Sequence, residues 1–174
     1  MNVTRIFAIL AVVAILVLSF GMSSPVKATE PDVELLDVTF EGGFVNKVSL
    51  MEDGTGKVIV DYTKFIITTD TDIDEGHGMF APYVFVDVEA VRHHGMLFAT
   101  KITVLAEDPG EVKFDGGKIC VIDLMAYKVI VNGTTFITTA DTVIDEGLMV
   151  GDLVKVEADR IDGKLIATKI TLLD

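Results

Sequence analysis

Two acidic stretches, DTDIDEG at 70–76 and DTVIDEG at 141–147, place carboxylates at the short spacing with which a loop wraps oxygen ligands around a hard divalent cation. The first opens like a calcium loop, with Asp70, Asp72 and Asp74 two residues apart. It then departs from one, because the glycine comes a place late and Ala81 stands where a bidentate glutamate is needed. The second stretch has Val143 in place of Asp72. Their shared core is Asp-Thr-x-Ile-Asp-Glu-Gly. It reads as a turn in which Asp and Thr cap backbone amides while Ile73 and Ile144 plug a hydrophobic interior. Asp70, Asp74 and Glu75, with Asp141, Asp145 and Glu146, are therefore the candidates for weak cation binding, and no dedicated metal or cofactor is expected. Sequence-adjacent Asp and Glu project in different directions, whereas an acid–base couple needs facing carboxylates. No catalytic residue is expected.

The three histidines, His77, His93 and His94, are the other residues with metal or proton-transfer chemistry. His77 precedes and His93 follows a strand-like run, 83–91, that spans about 30 Å when extended. Zinc needs its ligands about 2 Å from one centre, so the three do not converge within one molecule. The lone Cys120 excludes an internal disulfide and reads as a small buried residue of the strand-like GGKICVIDL. Asn132-Gly133-Thr134 has the form of a glycosylation sequon, but Asn-Gly is first of all a hairpin turn. Phosphate-binding loops, nucleophile elbows and paired-cysteine motifs are missing from the sequence.

What must position these residues is written twice. KVIVDYTKFIITTDTDIDEG (57–76) matches KVIVNGTTFITTADTVIDEG (128–147), and VDVEAVRHHGMLFATKITVL (86–105) matches VKVEADRIDGKLIATKITLL (154–173). The openings VTFEGGF (38–44) and VKFDGGK (112–118) also correspond. The first copy carries extra residues at 51–56 and in GHGMFAPY after Gly76, and insertions of this kind map to loops. In this alignment His94-Gly95 falls on Asp162-Gly163, so the histidine pair is explained as a turn and its neighbour.

Within each copy the apolar period is two: Val154, Val156 and Ala158 alternate with Lys155, Glu157 and Asp159. Five short strands per copy follow, in the second near 114–124, 127–131, 135–139, 153–161 and 164–172. A five-stranded antiparallel meander of this size hides its edges by curling into a small barrel of OB or SH3-like kind. Strict pairing of the last hairpin would set Val156 opposite Lys169. One extra residue at Ala167-Thr168 instead sets Val156 against Ile170, Val154 against Leu172 and Glu157 against Lys169, so a bulge is predicted there. The same argument pairs Glu89 with Lys101.

The N-terminal segment has a different logic. A basic Met1–Arg5, an apolar stretch 6–22 and the small-residue site Val26-Lys27-Ala28 read as a signal peptide, 1–28, cleaved before Thr29. An uncleaved anchor is the competing reading, and it is the only membrane contact expected. Removing residues 1–28 takes away Arg5 and Lys27 and none of the 27 acidic residues, so the mature chain is more acidic than the formal −13 of the whole. Such a surface repels phosphate backbones, and nucleic acid is excluded as a partner.

The pattern GKICVID, KVIVNGTTFITTADTVI and then LMVGDLVKVEADRIDGKLIATKITLL resembles a secreted prokaryotic family of domains of unknown function, number 5666 in that series. The resemblance covers both copies and is better in the second, which keeps Val150-Gly151-Asp152 where the first has Ala81-Pro82-Tyr83. It implies exported, often repeated β-barrel modules, and it brings no catalytic residues with it.

The expected protein is thus all-β, with an N-terminal signal helix (1–28), an acidic lead-in (29–37) and two tandem five-stranded antiparallel barrels at 38–108 and 109–174. Its expected role is that of an extracytoplasmic, non-enzymatic binding or structural module whose partner is a protein or cell-surface ligand. The alternative is a divalent-cation-dependent enzyme or cation-binding protein that uses the repeated acidic loops.

Overall fold

The structure is a computed structural model and describes residues 36–173. The expected signal peptide, and the lead-in up to residue 35, lie outside the described residues. Within them the chain is all-β. The first copy forms β1 (Leu36–Leu50), β2 (Gly56–Val60), β3 (Thr63–Ile67), β4 (Asp72–Asp74), β5 (Phe85–His93) and β6 (Met96–Val104). The second forms β7 (Glu111–Asp123), β8 (Lys128–Val131), β9 (Thr134–Ile137), β10 (Val143–Ile144), β11 (Leu153–Ile161) and β12 (Lys164–Leu172). β1 begins inside the lead-in, with Leu36 opposite Arg92 and Asp37 opposite Val91.

Five of the first six strands close a barrel, β1 pairing β2, β2 pairing β3, β3 pairing β6, β6 pairing β5 and β5 returning to β1. This corrects the antiparallel meander in two respects. The last strand, not the fourth, lies beside the third, because the long connection 68–84 crosses the barrel end and lays β4 parallel to the far half of β6. An odd number of strands also cannot alternate in direction all the way round, so the β3–β6 pair is parallel. The second copy repeats the order of pairing, with β9 and β12 as its parallel pair.

The predicted bulge is present. Val154 faces Leu172, Val156 faces Ile170 and Glu157 faces Lys169, after which the register shifts so that Ala158 meets Ala167. Glu89 faces Lys101 in the first copy. The extra residue, Thr168, donates its hydroxyl hydrogen to Glu157 O at 3.1 Å.

β1 and β7 each bend at a Gly-Gly pair. Gly42 and Gly116 take up left-handed φ values of 70° and 74°, which a side chain would resist. Gly43 and Gly117 serve packing instead: a Cβ on either would collide with Cγ1 of Val60 or Val131. Gly43→Ala and Gly117→Ala are each expected to cost about 1–3 kcal/mol, read as a lower urea midpoint, since a filled core does not accept an added methyl.

The copies are joined along one sheet rather than strung on a linker. β1 pairs with β7 antiparallel, Thr39 opposite Asp115, Phe40 opposite Phe114 and Glu41 opposite Lys113. Phe40 and Phe114 are equivalent residues of the two copies, so the contact has the self-complementary form of a two-fold interface within one chain. Their rings stack with centroids 4.5 Å apart and planes 9° from parallel, both fully buried. The apolar inner faces of both copies form one continuous buried cluster around this pair.

Candidate functional site

The acidic stretches are occupied with their own backbone. Asp74 Oδ1 accepts from Gly76 N–H at 2.9 Å, Glu75 Oε1 from Phe80 N–H at 2.8 Å, and Asp145 Oδ2 from Leu172 N–H at 3.0 Å. Thr71 and Thr142 tie the loops down, each donating to a carbonyl in the last strand of its copy, Ala99 and Ala167, at 2.7 Å. Asp70, Asp141 and Glu146 sit exposed beside these turns. Among the described residues no group of three or more His, Cys, Asp or Glu side chains lies close enough to hold a metal ion. His94 occupies the β5–β6 turn with φ of 49°, matching Asp162 at 50°, and the His93 and His94 rings lie 4.1 Å apart. In GHGMFAPY, Phe80 is buried while Met79 and Tyr83 are exposed.

The more unusual chemistry lies where the two copies meet, in residues the sequence reading had treated as turns or passed over. The β2–β3 and β8–β9 turns face each other there. Thr63 and Thr134, both buried, share a hydrogen bond of 2.8 Å, and Thr134 also donates to Asp61 O. On one side of this contact Arg160 of β11 clamps Asp61: Nη2 donates to Oδ2 at 2.8 Å and Nη1 to Oδ1 at 3.1 Å. Both side chains are buried, 7 % and 9 % exposed. Nη2 also reaches Gly42 O at 2.9 Å, and the guanidinium carbon lies 5.4 Å from the centre of the Phe85 ring. Asp108 Oδ1 stands 3.7 Å from Nε, near enough to pair in charge but too far for a hydrogen bond.

The two-fold equivalent is incomplete. Arg92 takes the place of Arg160 and donates from Nη2 to Gly116 O at 2.6 Å, but Asn132 stands where Asp61 should be. Asn132 Oδ1 keeps its partner's backbone role, accepting from Lys118 N–H at 3.0 Å as Asp61 Oδ2 accepts from Phe44 N–H at 2.9 Å. Its amide cannot neutralise a guanidinium. Arg92 Nε and Arg160 Nε are alike buried and without an acceptor among the described residues, so the donor that sets the Arg92 side apart is Asn132 Nδ2, buried and likewise without one. Burial pushes the Arg92 guanidinium below the usual arginine range, and the neighbouring Cys120, when ionised, opposes that.

Three further exchanges between the copies act in the same direction. Lys118 replaces Phe44, Lys64 stands opposite Thr135, and Gly133 replaces Tyr62. Around Arg160 the space is divided into two cavities of about 180 and 280 Å³, with Asp61, Tyr62 and Gly163 lining both. Around Arg92, where no tyrosine intrudes, it is one cleft of about 600 Å³ that also exposes Lys64, Lys118 and the apolar Met96. No Asp or Glu lines it.

Cys120 lines the same cleft and is exposed, which corrects its reading as a buried strand residue. Cys120 follows the buried Ile119 and faces outward by plain strand alternation, and the register shift between Ile119 and Val121 leaves Val121 outward beside it. The signal for this site was present in the alignment of the copies. An arginine is kept at both 92 and 160 while its acid becomes an amide, Asp61 against Asn132.

Fold and site together define an all-β barrel protein with a duplicated module and an asymmetric, cation-lined cleft. The model of a family described as Domain of unknown function (DUF5666) matches residues 43–103 and again residues 117–171, and the chain belongs to this family. No curated protein and no solved structure shows significant similarity to it.

Proposed function

We propose that this protein is an exported, non-catalytic binding module made of two tandem OB-like barrels, and that it takes its ligand in the cleft where the copies meet. The observation that carries this reading is the contrast within one chain. The repeated loops spend their carboxylates and hydroxyls on their own backbone, whereas the Arg92 cleft gathers Lys64, Arg92 and Lys118 with no acid and keeps the buried Asn132 Nδ2 without an acceptor. Buried polar groups of that kind carry a cost of about 1–3 kcal/mol each, which a bound acceptor would offset. Rigid barrel walls suit the role, because pre-ordered groups lose little freedom on binding. The N-terminal sequence supports export, with the barrels acting outside the cytoplasm on a soluble or surface-borne ligand.

The test is a thermal-shift screen of the full chain against small organic anions, sugars and peptides, with each hit followed by alkylation of Cys120. At least one ligand is expected to raise the melting temperature and slow the alkylation. Hits that all leave Cys120 reactivity unchanged would move binding away from this cleft. A screen with no hit would remove the reading.

A further inference from the structure

The Arg160 side of the junction shows what the Arg92 side lacks. There the guanidinium holds a carboxylate in a two-pronged contact, Nη2 and Nη1 each meeting one oxygen of Asp61 at 2.8 and 3.1 Å. Arg92 has the same backbone anchor and the same turn beside it, with the carboxylate removed and the tyrosine that closes the space removed as well. Lys64 and Lys118 add two more positive charges, so the cleft carries three cations and no acid in a chain whose overall formal charge is −13. A local excess of that sign attracts one class of ligand against the general field of the protein.

From the reading of the cleft as a binding site, we infer that its ligand is a small organic dicarboxylate, one carboxylate held by Arg92 and Asn132 Nδ2 and the other by Lys64 and Lys118. Three features choose this class over inorganic phosphate. The neighbouring copy already fits a planar carboxylate to an identical fork. Met96, exposed at the cleft, is an apolar side chain with no use for phosphate but a ready contact for a carbon chain. A cleft of about 600 Å³ is also far larger than one tetrahedral anion.

The test uses the full chain with succinate as probe and acetate and inorganic phosphate as comparisons, followed by calorimetry and by the rate of Cys120 alkylation. Succinate is expected to bind and to slow alkylation several-fold, with acetate and phosphate much weaker. Arg92→Gln is expected to weaken succinate about tenfold or more, the worth of a charge-assisted contact. Asn132→Asp gives Arg92 the internal partner that Arg160 has. It is expected to raise the melting temperature, abolish succinate binding and return Cys120 to its unprotected rate, and it carries the test if Arg92→Gln does not fold. Phosphate binding as well as succinate, or succinate binding unaffected in Asn132→Asp, would overturn the assignment. A screen hit that protects Cys120 and is not a carboxylate would overturn it too while leaving the binding-module reading intact.

Discussion

Phe114→Ala is expected to lower stability by about 3–5 kcal/mol, measured as the shift of the urea transition, and Phe40→Ala by a similar amount. Both rings are fully buried, so truncation removes a large apolar surface and leaves a cavity that rigid sheet walls cannot collapse into. What sets these two apart from other core aromatics is that each packs against its own counterpart. Phe40 stacks on Phe114 at the centre of the β1–β7 pairing, so either truncation opens a space shared by both copies. The double replacement is therefore expected to cost less than the sum of the singles, with a coupling of about 0.5–1.5 kcal/mol from the lost ring–ring contact. A further expectation concerns cooperativity. Because one continuous buried cluster runs through both copies, Phe114→Ala should shift a single transition followed by fluorescence and by circular dichroism alike. Two separated transitions, with only the second copy affected, would show that the copies fold independently.

The second large effect is Asp61→Asn, which makes the Arg160 site resemble the Arg92 site. It is expected to cost about 3–5 kcal/mol at neutral pH, because Arg160 is left charged and 7 % exposed with no carboxylate in its fork. Gly42 O and the Phe85 ring remain as partners, but neither supplies a full negative charge. Asp108, at 3.7 Å from Nε, is two-fifths exposed and recovers little of the loss. Replacing both partners by apolar residues of like volume, Asp61→Leu with Arg160→Met, is expected to restore most of the stability, since no buried charge is then left without its mate. Urea midpoints of the two variants side by side decide this. A double variant as unstable as Asp61→Asn would mean that the lost contacts are those of packing and backbone support, including the Asp61 Oδ2 bond to Phe44 N–H. The same chain carries Arg92 without such a mate, and under the proposed binding role that stability is exchanged for a surface open to a ligand.

The strands and their inward faces were legible because period two is local. Val154, Val156 and Ala158 declare one face wherever the strand lies, and all three are buried. The bulge at Thr168 was legible for a related reason, since only one register keeps Val156 off Lys169. The turns at His94-Gly95 and Asp162-Gly163 follow from residues that tolerate positive φ. Asp61-Tyr62 escaped this reasoning, because tyrosine at φ of 71° has no such tolerance of its own and is held there by the chain around it, with Asn46 Oδ1 accepting from its N–H at 2.8 Å.

The amino-acid sequence by itself determined the duplication, which is visible as a direct match of one half to the other, and the sheet-forming pattern, the turn positions and the register of the last hairpin, which depend on residues close along the chain. Only the tertiary structure decided the crossed strand order, the pairing of β1 with β7 and the meeting of Asp61 with Arg160. Those contacts join residues as much as 99 positions apart, and their energy arises from burial and charge at a surface that neither copy possesses until both have folded. The Arg92 cleft belongs to the same class. Its residues are unremarkable in each strand, and their excess of positive charge exists only once the two turns lie face to face.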